Sequence, residues 1–145
     1  MQRSFPRAAV TGSHTGASIT RTRILIVEDE YLVALEMAAA LGEAGFAVAG
    51  IAASAEEALR LARAVRPDLA IMDVTLAGPR DGASAARELF EQHGVRSIMA
   101  TARHDAPTRA RAGAEAPLGW LAKPFTSDAL VACVRRTLRA LARKR

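Results

Sequence analysis

Five residues of this chain have the side chains and the spacing for one kind of chemistry. Glu28 and Asp29 close the apolar run in LIVEDE, Asp73 closes the one in LAIMDVTL, Thr101 ends the run in SIMAT, and Lys123 follows GWLA. Short apolar runs bounded by polar residues read as strands buried on both faces, so these groups stand at strand ends. Three carboxylates gathered on one edge repel one another and raise one another's pKa unless a cation neutralises them. Hard oxygen ligands with positions left for water and phosphate suit Mg²⁺. Such an edge supports phosphoryl transfer to a carboxylate, with Asp73 as the nucleophile that becomes an aspartyl phosphate. Asp29 and Asp73 would hold the metal and Glu28 would reach it through water. Lys123 would pair with one phosphoryl oxygen and Thr101 would hydrogen-bond another.

Positioning these groups requires regular alternation of elements, and the chain has it. Strand-like runs fall at 24–27, 47–52, 69–72, 97–101 and 119–122. Between them, 31–44 places Leu32, Leu35, Met37 and Leu41 near helical spacing, and 54–65 opens with Ser54 and Glu57 as a capping box. A third helix is expected over 84–93, ending before Gly94. A weaker fourth spans 105–114, with Pro107 tolerable only in its first turn. The last runs from near Thr126 towards Arg143 on a stripe of Leu130, Val134, Leu138 and Leu141. Five strands alternating with five helices predict a (βα)5 α/β fold: a doubly wound, five-stranded parallel sheet covered on both faces. Ligands in such sheets bind outside the carboxyl ends of the strands, near the point where strand order reverses.

The 145 residues suit one domain, with no room for a second folded output domain. No apolar stretch approaches the roughly 20 residues of a membrane span, and no signal-peptide core stands near the start, so a soluble, cytoplasmic chain is expected. The single Cys133 excludes an internal disulfide and fits a reducing compartment. The net charge of +5 is unevenly spread: residues 24–134 carry ten basic residues against fifteen acidic ones, while 1–23 carry four Arg and 135–145 six basic residues, both without an acid. Residues 1–22, rich in Ser, Thr, Gly and Arg and lacking apolar periodicity, read as a disordered basic leader ahead of a domain over 23–143.

Four elements in order at strand ends carry a family resemblance: the acidic pair Glu28-Asp29, then Asp73, Thr101 and Lys123, with 44 residues from Asp29 to Asp73 and 22 from Thr101 to Lys123. Residues 23–143 resemble a response-regulator receiver domain of the CheY-like, flavodoxin-like type, as found in stand-alone single-domain response regulators of bacterial two-component systems. The resemblance implies a phosphoacceptor in a phosphorelay, with Asp73 taking the phosphoryl group from a histidine kinase or His phosphotransfer protein. It also implies a Thr75 backbone carbonyl among the Mg²⁺ ligands and a cis peptide at Lys123-Pro124. Thr101 would move towards the phosphate, Trp120 would turn inward, and the α4–β5–α5 face would change for partner binding or homodimerisation. Trp120 stands where Tyr or Phe is more usual in the family, and its larger ring turns less freely. Pro117, read as preceding the fifth strand, implies a short fourth helix. Thr75 and Arg103 occupy positions that in the family tune phosphate loss.

Other readings compete. A receiver that binds partners without phosphate retains the same fold. A Mg²⁺-dependent phosphatase with an Asp nucleophile wants a second Asp two residues on, where Thr75 stands. A dinucleotide or flavin binder wants a Gly-rich loop where VEDEY stands. The basic tail supports only salt-sensitive, non-specific contact with nucleic acid, since aromatic residues are too few for stacking platforms. Taken singly, Glu30 is helix-start charge, Phe46, Phe90, Phe125 and Cys133 are packing residues, and Trp120 fills core as readily as it switches. His14, His93 and His104 show no ligand spacing.

Overall fold

The computed structural model describes residues 21–76, 78, 80–102 and 106–143. Most of the expected leader, with His14, lies outside the described residues, as do Arg103 and His104. Ten elements alternate: β1 Arg23–Val27, α1 Tyr31–Glu43, β2 Ala47–Ala52, α2 Ala55–Val65, β3 Leu69–Asp73, α3 Gly82–His93, β4 Arg96–Thr101, α4 Ala106–Ala112, β5 Pro117–Ala122 and α5 Ser127–Arg143. All strand pairs are parallel and the sheet order is β2-β1-β3-β4-β5. The expected α/β fold is the observed one, and strand order reverses between β1 and β3.

Alternation along the strands divides the core into two layers. Ile24, Ile26, Leu69, Ile71 and Ile98 pack under α1 and α5 with Met37, Leu41, Leu130, Cys133 and Val134. Leu25, Val27, Ala70, Met72 and Met99 face α2, α3 and α4, where many of the packing residues are Ala. Small residues let those helices approach the sheet closely. A strand covered on both faces has to be apolar at every position, as LIV and LAIM are. Among the described residues no helix is long and apolar enough to cross a membrane.

Local chemistry fixes the helix ends. Ser54 caps α2 by accepting from the Glu57 N–H, but the Glu57 carboxylate accepts from the Ala53 N–H rather than closing the box on Ser54. Gly94 ends α3 at φ 68°, a left-handed conformation that costs glycine least. Three expectations are corrected. Asp81, accepting from the Ser84 N–H, starts α3 at Gly82 rather than at Ser84. Pro117 lies within β5 as its first residue; β5 is an edge strand, where a missing N–H is tolerated. Leu32 and Leu35 do not join the core: α1 buries Ala34, Met37 and Leu41 and leaves Leu32 75% exposed.

Candidate functional site

The carboxyl ends of β1 and β3 meet beside the reversal of strand order, and the acids stand there. Ile26 pairs with Ile71 and Val27 with Met72, so the residues that follow, Glu28 and Asp73, leave neighbouring strands at the same level. Glu28 and Asp73 are each only 3% exposed, and Asp29 is half-buried. One carboxylate oxygen from each of Glu28, Asp29 and Asp73 falls within 4.8 Å of the others. Thr101 ends β4, buried, and its carbonyl accepts from the Lys123 N–H at 3.0 Å, which pins the residue after β5 to the end of β4. From there Lys123 Nζ lies 3.4 Å from Asp73 Oδ1 and 3.6 Å from Glu28 Oε1. The Lys123-Pro124 peptide is cis.

Backbone donors hold the acids in place. Asp73 Oδ1 accepts from the Thr75 N–H at 3.1 Å, and Glu28 Oε2 accepts from the Glu30 N–H at 3.1 Å. Each carboxylate thus bonds the backbone two residues on, which turns the chain at the strand end. Burial pushes Glu28 up to about 7, and the neighbouring Asp73 charge adds to the rise, against the Glu30 hydrogen bond and Lys123. Burial also raises Asp73, more than the attraction of Lys123 lowers it. Desolvation works to lower Lys123, but the two acids outweigh it and hold its pKa above the ordinary value. One ammonium therefore does not compensate the three carboxylates. Buried hard oxygen donors in excess of positive charge, converging within the reach of one ion, fit Mg²⁺.

A backbone approach sets the start of α3 against the end of β3. The Gly82 N–H donates to the Val74 carbonyl at 2.8 Å. A Cβ added at Gly82 would fall 1.9 Å from the Asp73 carbonyl oxygen and 2.7 Å from its carbonyl carbon. Neither atom can yield without moving the strand end. Gly82→Ala should therefore destabilise the fold by about 3 kcal/mol or more, read as a lowered urea midpoint. An unchanged midpoint would show that α3 is free to back away from β3. The sequence reading missed Gly82 because it began the helix at Ser84; the DG pair, an N-cap residue followed by the smallest residue, was the available signal.

Comparison with known proteins shows the family. Residues 24–135 match the family model of the response regulator receiver domain. The chain belongs to the response regulator receiver domain family. Among curated relatives of this receiver, the transcriptional regulatory protein PdtaR of Mycobacterium tuberculosis is 38% identical over 129 residues, 86% of this chain and 61% of PdtaR. The transcriptional regulatory protein CseB of Streptomyces coelicolor is 36% identical over 82% of this chain and 50% of its own length. The chain thus spans half to three fifths of these regulators. Among solved structures, the receiver domain of a modulated diguanylate cyclase from Desulfovibrio desulfuricans G20 is 32% identical with a TM-score of 0.76, covering 87% of this chain and all of that one. A CheY-like receiver domain protein from Methanospirillum hungatei JF-1, at 22% identity and a TM-score of 0.77, covers the same shares and shows the shared fold.

Proposed function

We propose that this receiver accepts a phosphoryl group on Asp73 from a histidine kinase or His phosphotransfer protein, in the cytoplasm, with Mg²⁺ held by Asp29, Asp73 and the Thr75 carbonyl and, through water, by Glu28. The observation that carries the reading is the convergence of three carboxylate oxygens within 4.8 Å with the Lys123 ammonium beside them. A carboxylate oxygen of Asp73 attacks phosphorus, the P–N bond of the donor phosphohistidine breaks, and the imidazole nitrogen leaves with the bonding pair. The product is a mixed anhydride on Asp73. Lys123 stays paired with the oxygens that carry charge through the step, and Thr101 donates its hydroxyl to a phosphoryl oxygen. Bound Mg²⁺ supplies charge neutralisation between the acids and the incoming phosphoryl group, together with its alignment for in-line attack. Transfer then shifts the population of the α4–β5–α5 face between two states.

Intact-protein mass after incubation with acetyl phosphate, with and without Mg²⁺, tests this. One hydroxylamine-labile phosphate that forms only with Mg²⁺ is expected. No adduct, together with no beryllofluoride complex, would leave a receiver that signals by binding alone.

The donor protein docks, in this reading, beside the acids. Tyr31, Leu32 and Leu35 are the exposed large hydrophobic residues among those described, and they follow directly on Glu28-Asp29-Glu30 at the first turns of α1. Clustered exposed apolar residues mark interaction surfaces. Leu32→Glu should leave stability within about 0.5 kcal/mol. It should keep the acetyl phosphate reaction and cut transfer from a phosphohistidine protein that serves the wild type by about tenfold or more, a loss of about 1.4 kcal/mol. Equal loss with both donors would place the defect in the chemistry instead.

A further inference from the structure

We propose that Arg109 latches Trp120 in the resting state, and that Arg111 ties this latch through Asp81 to the backbone at Asp73, the end of β3. The proposal rests on Asp73 being the phosphoacceptor and deepens that reading by naming what regulates the output face.

Trp120 stands on the edge strand β5, half-buried. Met99 pairs with Trp120 and Thr101 with Ala122, so Thr101 and Trp120 face the same side of the sheet from adjacent strands, the side covered by α2, α3 and α4. The guanidinium carbon of Arg109 lies 4.4 Å from the centroid of the Trp120 ring. That is cation–π geometry, and indole is the side chain that rewards it most.

The second tether lies two residues further along α4. Arg111 Nε donates to Asp81 Oδ2 at 2.7 Å. Asp81 is also the cap of α3, accepting from the Ser84 N–H at 2.9 Å, and those two bonds help hold its carboxyl below the usual range against the opposing effect of burial. The next residue, Gly82, is the one packed against the Asp73 carbonyl. Any rearrangement of the backbone around Asp73 therefore reaches Asp81 within one residue and Arg111 within one hydrogen bond.

What makes the two tethers matter is the helix they hold. α4 has seven residues, Pro107 sits in its first turn, and only Thr108 and Ala112 are buried. Its apolar anchoring is slight, so side-chain contacts contribute a large share of its placement. Arg109 and Arg111 pull in two directions, towards β5 and towards α3. When the backbone at Asp73 and the helix move together, the guanidinium leaves the ring, and Trp120 is free to turn.

Trp120 is the chain's only tryptophan, so its fluorescence reports the latch without a label. The full chain would be compared as wild type, Arg109→Ala, Arg109→Lys and Arg111→Gln, after circular dichroism and urea midpoints have established folding. In resting protein, Arg109→Ala should raise the population of unlatched ring about two- to fivefold, seen as stronger acrylamide quenching. Arg109→Lys should fall between it and wild type. On addition of beryllofluoride with Mg²⁺, Arg109→Ala should show a smaller further change than wild type, being partly shifted already. Arg111→Gln should take up acetyl phosphate as wild type does while its Trp120 response shrinks.

Wild-type quenching in Arg109→Ala overturns the latch. An undiminished Trp120 response in phosphorylated Arg111→Gln overturns the tie to Asp81. Absence of phosphorylation in the wild type would sink the phosphoacceptor reading and with it the tie, whereas the resting-state quenching would still decide the latch.

Discussion

Asp73→Asn should abolish the Mg²⁺-dependent, hydroxylamine-labile phosphate proposed for the wild type and leave the protein folded. The amide is nearly isosteric with the carboxylate and can still accept the Thr75 N–H through its oxygen, so the turn after β3 is kept. What it lacks is a nucleophilic oxygen able to form a mixed anhydride, and one negative charge at the proposed metal site. Lys123 loses one of its two partners and keeps Glu28, 3.6 Å away. Removing a desolvated charge from a crowded acidic cluster offsets the lost ion pair, so the unfolding free energy should stay within about 1 kcal/mol of wild type. Intact mass and a urea titration check the two halves. A phosphate that persists on Asp73→Asn would assign the chemistry to another residue. A collapse in stability would mean that the carboxylate itself holds the strand end.

The second large effect is a stability that depends on pH in opposite ways with and without metal. Burial holds Glu28 at about 7, against an ordinary value of 4.5, and raises Asp73 as well. Between those two pH values the folded state binds more protons than the unfolded state, so stability without metal falls as pH rises through the window. Below it both states are protonated and the penalty is absent; above it the penalty is complete, on the order of 2–4 kcal/mol. Lys123, raised above its ordinary value, contributes stability that is lost only at far higher pH and does not enter this window. In the proposed function Mg²⁺ would bind the ionised carboxylates, so its stabilisation should be small near pH 5 and grow towards pH 8. Thermal unfolding in chelator and in millimolar Mg²⁺ across that range checks this. A flat profile in chelator would mean that water reaches Glu28 and relieves its burial.

Those carboxylates were legible in the sequence because a buried parallel strand has a simple signature. Each run is apolar at every position, and the first polar residue marks where the strand leaves the core. Glu28, Asp29, Asp73, Thr101 and Lys123 could therefore be placed at strand ends, and the alternation of strands with helices fixed a parallel sheet that brings all such ends to one edge. The capping serine of α2 and the glycine after α3 were readable for the same reason: each acts on atoms within a few residues of itself.

Contacts made across the fold were not readable. Periodicity set Leu32 and Leu35 beside Met37 and Leu41 on α1, but which arc of a helix is covered depends on where α5 packs, and α1 buries Met37 and Leu41 with Ala34 while leaving Leu32 and Leu35 exposed. The start of α3 depends on how close its first residue comes to the backbone of Asp73, a distance no local pattern encodes. No local pattern marks Arg109 or Arg111; the packing of a seven-residue α4 sets one on Trp120 and the other on Asp81. The sequence by itself determined the fold class and which residues gather at the sheet edge, because burial and strand polarity are properties of short segments. Only the tertiary structure decided which of those residues are desolvated, how one ammonium is shared between two acids, and which α4 arginines meet Trp120 and Asp81, because these follow from distances between elements.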